Sequence, residues 1–134
     1  MKQYETYNHA KTLLKYHLIF STKYRRKCLA GIEKELEESF RYIESVSNFR
    51  IEKLGIDKDH VHFLIRSCPS MPVSSIVRRL KQISTRQMWK KQKEHLSSFY
   101  WKNKKGKLWT NGYFCCTVGD VSSKTVEKYI ENQG

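Results

Sequence analysis

The sequence predicts an α+β domain: four antiparallel strands in one sheet, two helices over one of its faces, and a third helix appended at the end. Three observations carry this expectation. Four short apolar stretches have strand length, three others place apolar residues at helical spacing, and their order is strand, helix, strand, strand, helix, strand, helix. Side chains alternate between faces along a strand and return every three or four residues along a helix, so the two patterns are separable.

The first strand is expected over 13–21, where Leu14, Tyr16, Leu18 and Phe20 alternate with Lys15, His17 and Ile19. A basic loop follows, Lys23-Tyr24-Arg25-Arg26-Lys27. Ile32, Leu36, Phe40 and Ile43 recur among glutamates and predict an amphipathic helix over 31–47. Strands over 49–56 and 60–67 are separated only by Asp57-Lys58-Asp59, short enough for an antiparallel hairpin. Pro72 suits the first turn of a second helix, whose apolar stripe is Val73, Ile76, Val77, Leu80 and Ile83. Its other faces carry Arg78, Arg79, Lys81, Arg86 and Lys90. A basic loop over 97–107, a fourth strand over 108–118, a break at Gly119-Asp120 and a last helix over 122–133 complete the chain. The order β-α-β-β-α-β is that of the ferredoxin-like, or RRM-like, arrangement, with helices on one face only. The other face is left for ligands.

At 134 residues, without repeat or linker, the chain reads as one domain over 1–134, with a core at about 11–119. No apolar run approaches the roughly 20 residues of a membrane span, and 1–11 lacks the apolar centre of a secretory signal. A cytoplasmic location is expected, with no membrane partner. Cys28, Cys68 and the adjacent pair Cys115-Cys116 form no C-x-x-C motif, so they read as small packing residues. Lys and Arg total 26 against 13 acids, a formal charge of +13. That balance favours a polyanionic partner, because each neutralised phosphate releases a counterion.

His60-Val61-His62 lies within the third strand. Alternation puts both imidazoles on one face, roughly 6.5–7 Å apart at Cα, and turns Val61, Phe63 and Ile65 toward the helices. Such a pair can share a metal ion; it can equally be two surface histidines beside Asp57 and Asp59. Catalytic metals usually take a third protein ligand, which must come from elsewhere. In the last helix Tyr129 and Gln133 stand four residues apart, on one face. Tyr129 could reach a phosphate bound at a metal, or could anchor the helix together with Val126 and Ile130.

Four stretches together carry a resemblance: "KYHLIFSTKYRRK" from Lys15, "DKDHVHFLI" from Asp57, "LWTNGYFCCTVG" from Leu108 and "VEKYIENQ" from Val126. In this order and spacing the sequence resembles the HUH single-tyrosine transposases of the insertion-sequence 200/605 family. The resemblance implies metal-dependent cleavage and rejoining of single-stranded DNA through a 5′-phosphotyrosine. His60 and His62 match its metal ligands, Tyr129 its nucleophile and Gln133 its third ligand. Magnesium or manganese is the implied cofactor, although imidazole by itself suits zinc, nickel or manganese better than magnesium. The resemblance further implies single-stranded DNA with subterminal hairpins as the partner, and a homodimer with composite active sites. In such a dimer the helix over 122–133 is mobile, and Gly119 offers a pivot.

DNA contacts are expected from Lys23, Tyr24, Arg25, Arg26 and Lys27 after the first strand, and from Arg78, Arg79, Lys81, Arg86 and Lys90 on the second helix. Tyr24, Phe99, Tyr100 and Trp101 are candidates for stacking on bases. Two alternatives remain. A relaxase or replication nickase would share the histidine pair, but the terminal Tyr129 disfavours it. A non-catalytic RRM-like binder needs outward aromatics on its central strands, where this sequence places His60, His62, Leu64 and Arg66.

Overall fold

A computed structural model of the chain describes residues 14–67 and 70–118. The described elements are β1 (Leu14–Ser21), α1 (Glu33–Ser45), β2 (Arg50–Ile56), β3 (His60–Ser67), α2 (Val73–Lys91), α3 (Lys93–Ser97) and β4 (Phe114–Thr117). The strands form one sheet in the order β2-β3-β1-β4 with every neighbour antiparallel, the ferredoxin-like arrangement. The core lies between one face of this sheet and helices α1 and α2.

Each element follows from its pattern. In α1 the stripe Leu36, Phe40 and Ile43 is fully buried, while Glu33 and Glu35 stand in the first turn, where carboxylates complement the helix dipole. Pro72 caps α2 with extended backbone, and Ile76, Val77, Leu80 and Met88 are buried beneath that helix. The sheet contributes Leu18, Phe20, Ile51, Val61, Phe63 and Ile65. Phe20, Phe40, Phe63 and Trp109 pack edge to face or tilted, at centroid distances from 4.8 to 6.5 Å. The Trp109 indole N–H donates to Ser84 Oγ at 2.9 Å, which lets the ring lie buried without an orphan donor.

Three expectations need correction. The fourth strand is Phe114–Thr117, shorter than 108–118. Leu108 and Trp109 are buried core residues, and the backbone of Trp109 pairs with Thr22 in an isolated bridge outside the strand. Gly112, at φ +88°, turns the backbone between them and the strand. The expected loop over 97–107 is preceded by a helical turn, α3, and contains a 3-10 turn, Lys102–Lys104. Tyr100 is fully buried, its hydroxyl donating to the Lys23 carbonyl at 2.7 Å, so it is not available for stacking. The helix expected over 122–133 and the pivot at Gly119 lie outside the described residues.

Candidate active site

Register brings the candidate ligands to the face opposite the helices. Along β3, Val61, Phe63 and Ile65 are buried in the core, so His60 and His62 project from the other side. His60 pairs with Ser21 of β1, and His62 sits between Ile19 of β1 and Gly55 of β2. On the same face Glu52 bridges Lys15 at 3.2 Å and Arg66 at 2.7 Å, closing the far end of the sheet with paired charge.

Gly55 decides where the His62 ring lies. A Cβ at Gly55 would fall 1.9 Å from His62 Nε2, so the imidazole occupies space that any side chain on β2 would fill. The sequence offered no sign of this, because nothing within β2 reveals which residue it pairs with.

Asp59 organises His60. Its Oδ1 lies 2.9 Å from His60 Nδ1, while its Oδ2 accepts from Arg25 Nε at 3.0 Å and pairs with Arg25 Nη2 at 2.9 Å. Burial by itself would raise the Asp59 carboxyl, but the bonds from His60 and Arg25 outweigh it and hold the group below its ordinary range. An ionised Asp59 makes Nδ1 the donor, leaving Nε2 of His60 as the nitrogen with a lone pair that a metal could take. Nε2 also lies 3.9 Å from Asp57 Oδ2. At His62, partial burial of the ring and the nearness of His60 and His17 push the pKa below its ordinary value, favouring the neutral form that binds metals. Beside His60, Ser21 buries its hydroxyl with no partner among the described residues.

These features fit a divalent ion: two imidazoles, one backed by a carboxylate, beside a buried hydroxyl in want of a partner. The set is incomplete. Among the described residues no group of three or more His, Cys, Asp or Glu is placed to hold a metal, so an ion held by this pair would need further ligands from elsewhere. Tyr129 and Gln133 lie outside the described residues.

The basic candidates divide by what already holds them. Arg25 is tied to Asp59. Arg79 donates to Ser47 Oγ at 2.6 Å and to the Val46 carbonyl at 3.0 Å, satisfying the C-terminal end of α1. Lys81 donates to the carbonyls of Thr110 and Gly112 at 2.9 and 2.7 Å, and burial lowers its pKa. Arg78, Arg86 and Lys90 are exposed along α2, and Arg86 lines a groove between α2 and the segment 106–112. Lys23 and Arg26 are half-buried, Tyr24 and Lys27 exposed.

Residues 10–133 match the family described as "Transposase IS200 like". The chain belongs to that family of transposases. It is 31% identical to the ISDra2 transposase TnpA of Deinococcus radiodurans over 121 residues, covering 90% of this chain and 84% of that one. It is equally 31% identical to the transposase for insertion sequence element IS200 of Salmonella typhimurium, covering 93% and 80%. A crystal structure of a candidate transposase from Deinococcus radiodurans superposes with a TM-score of 0.80 at 31% identity, covering 91% of this chain and 92% of the other. A REP-associated tyrosine transposase, solved bound to a REP hairpin, shares the fold at a TM-score of 0.53 and 11% identity, over 88% and 62%. Among the described residues no helix is long and apolar enough to cross a membrane.

Proposed function

We propose that the chain cleaves and rejoins single-stranded DNA at insertion-sequence ends, with Tyr129 as nucleophile. The observation that carries this reading is the histidine pair on the uncovered face of the sheet, one member backed by Asp59, in a chain of the IS200-like family. The Tyr129 hydroxyl oxygen attacks the scissile phosphorus and the bond from phosphorus to the 3′ oxygen breaks. Tyrosine gives up its phenolic proton and the departing 3′ oxygen gains one. A 5′-phosphotyrosine and a free 3′-hydroxyl result, and the reverse step joins a new strand. His60, His62 and Gln133 would hold magnesium or manganese, which supplies Lewis-acid polarisation of the phosphate and so eases attack by a phenol of ordinary pKa about 10. Asp59 fixes the His60 ring, and Gly55 gives the His62 ring its place.

Recognition of terminal hairpins, action in the cytoplasm and a homodimer with composite sites belong to the same proposal. The hairpin seen with the REP-associated transposase supports the first.

The test uses single-stranded oligonucleotides from the DNA flanking the gene. A covalent adduct is expected from the wild type with manganese, none from Tyr129→Phe, and none in excess chelator. A His60→Ala/His62→Ala chain mixed with Tyr129→Phe should recover activity when subunits exchange, because one composite site then carries no defect. An adduct that survives Tyr129→Phe and maps to another tyrosine overturns the nucleophile. Proven subunit exchange without rescue overturns the composite site.

A further inference from the structure

The loop after β1 and the loop after α3 meet in a cluster of rings and cations that the chemistry above does not use. The Arg26 guanidinium lies over three rings: Tyr24 at 5.1 Å, Trp101 at 5.0 Å and Tyr100 at 5.4 Å from their centroids. Lys23 and Lys104 each stand 5.3 Å from the Tyr24 centroid. Tyr100 is buried, but Tyr24 is 51% and Trp101 48% exposed. The surface thus offers two half-exposed ring faces beside three cations. Among the described residues no carboxylate pairs with Lys23, Arg26 or Lys104.

The backbone is strained in the same place. Tyr24, Arg25 and Lys102 are the non-glycine residues at positive φ among those described, at 63°, 53° and 57°. Left-handed backbone costs a bulky residue roughly 1 kcal/mol or more and persists only where the surroundings impose it. Here they do. Thr22 Oγ1 donates to the Arg26 carbonyl at 2.7 Å, Lys23 N to the Leu108 carbonyl at 2.9 Å, the Tyr100 hydroxyl to the Lys23 carbonyl, and Arg26 Nη1 to the Phe99 carbonyl. The loop is thus held rigidly with Tyr24 turned outward.

We infer that Tyr24, Arg26 and Trp101 form a seat for one unpaired nucleotide of the single-stranded substrate. The base stacks on the exposed rings, and Lys23 and Lys104 take the adjoining phosphates. The inference rests on the DNA-processing reading above and deepens it. Arg25, next to Tyr24, is bonded to Asp59, which is bonded to His60, so the seat adjoins the histidine pair along one continuous chain of contacts.

The experiment compares a labelled thymidine strand of about 15 nucleotides with an abasic strand of the same length, by fluorescence anisotropy. Trp101→Ala and Tyr24→Ala should each weaken the thymidine strand by roughly 5- to 150-fold, the range for one lost base-stacking contact. The abasic strand should bind all variants alike, Trp101→Phe should restore most of the loss, and melting temperatures should stay put. Equal weakening of both strands, or of neither, overturns the seat. Adduct formation by the wild type is followed in parallel. A thymidine preference that depends on Trp101 without any adduct supports the seat and removes the proposed chemistry. An adduct with no effect of Trp101 or Tyr24 on thymidine binding removes the seat alone.

Discussion

Along β3, two environments are interleaved one residue apart. Val61, Phe63 and Ile65 are sealed beneath the helices, where Phe63 lies 5.0 Å from the Phe40 ring and 5.5 Å from Phe20. His60 and His62 stand on the other side, among Asp59, Ser21, Ile19 and Gly55. On the first face the interactions are apolar and dense, so what matters is volume. On the second they are directional, so what matters is where a nitrogen points. The strand's period of two keeps these demands apart, and neighbouring substitutions should have opposite consequences.

The largest effect is expected at Phe63. Phe63→Ala removes a fully buried ring from the aromatic cluster and should cost about 3–5 kcal/mol, a large share of a small domain's stability. His62→Ala, one residue away, should change stability by less than about 1 kcal/mol while abolishing adduct formation. Urea midpoints and adduct yields measured on both variants check the separation. If His62→Ala unfolds the chain as readily as Phe63→Ala, the two faces are not independent.

Gly55 sharpens the comparison, because it links a backbone position to the placement of the His62 ring. Its φ lies outside the left-handed region, so alanine is compatible with the strand backbone, and the obstacle is the 1.9 Å approach to His62 Nε2. Gly55→Ala should keep or slightly raise the melting temperature, since alanine restricts the unfolded chain. The displaced ring should weaken manganese binding by roughly 10- to 100-fold, as for other changes in the groups that orient metal ligands. Free manganese measured by electron paramagnetic resonance reports this without turnover. Unchanged manganese affinity would mean that the ring finds an equivalent position, and Gly55 would then have no positioning role.

Much of this was legible in the sequence, and what was not has common causes. The bounds of β3 and the faces of its residues came directly from alternation. So did the stripes of α1 and α2, because periodicity is local. Leu108 and Trp109 suggested strand because they are apolar, but they are buried in the core ahead of a turn at Gly112, and that burial is tertiary. Tyr100 and Arg79 were expected at DNA for the reverse reason. An aromatic ring in a basic loop and an arginine on a basic helix look available until their partners, the Lys23 carbonyl and the end of α1, are seen. Gly55 and the Arg25–Asp59–His60 chain depend on cross-strand register, which no single segment encodes. The roles of Tyr129 and Gln133 rest on the family's motifs, since both lie outside the described residues.

The smallest expected effect is on pH dependence, and it separates the faces in another way. None of Val61, Phe63 and Ile65 titrates, so any proton linkage from β3 must come from the histidine side. The folded chain holds His62 below its ordinary value of 6.5. Below that pH the unfolded chain therefore takes up a proton sooner than the folded one, and stability falls as pH drops through the window just under 6.5. Asp59 is also held below its ordinary value, 3.8, so its contribution is present above that pH and is lost as pH falls through the lower folded value. Two separate declines follow, one below 6.5 from His62 and one below 3.8 from Asp59. Urea midpoints of the metal-free protein at a series of pH values should show both. His62→Gln should flatten the first and spare the second, while Asp59→Asn should remove most of the second. A first decline that persists unchanged in His62→Gln would show that His62 does not carry the linkage.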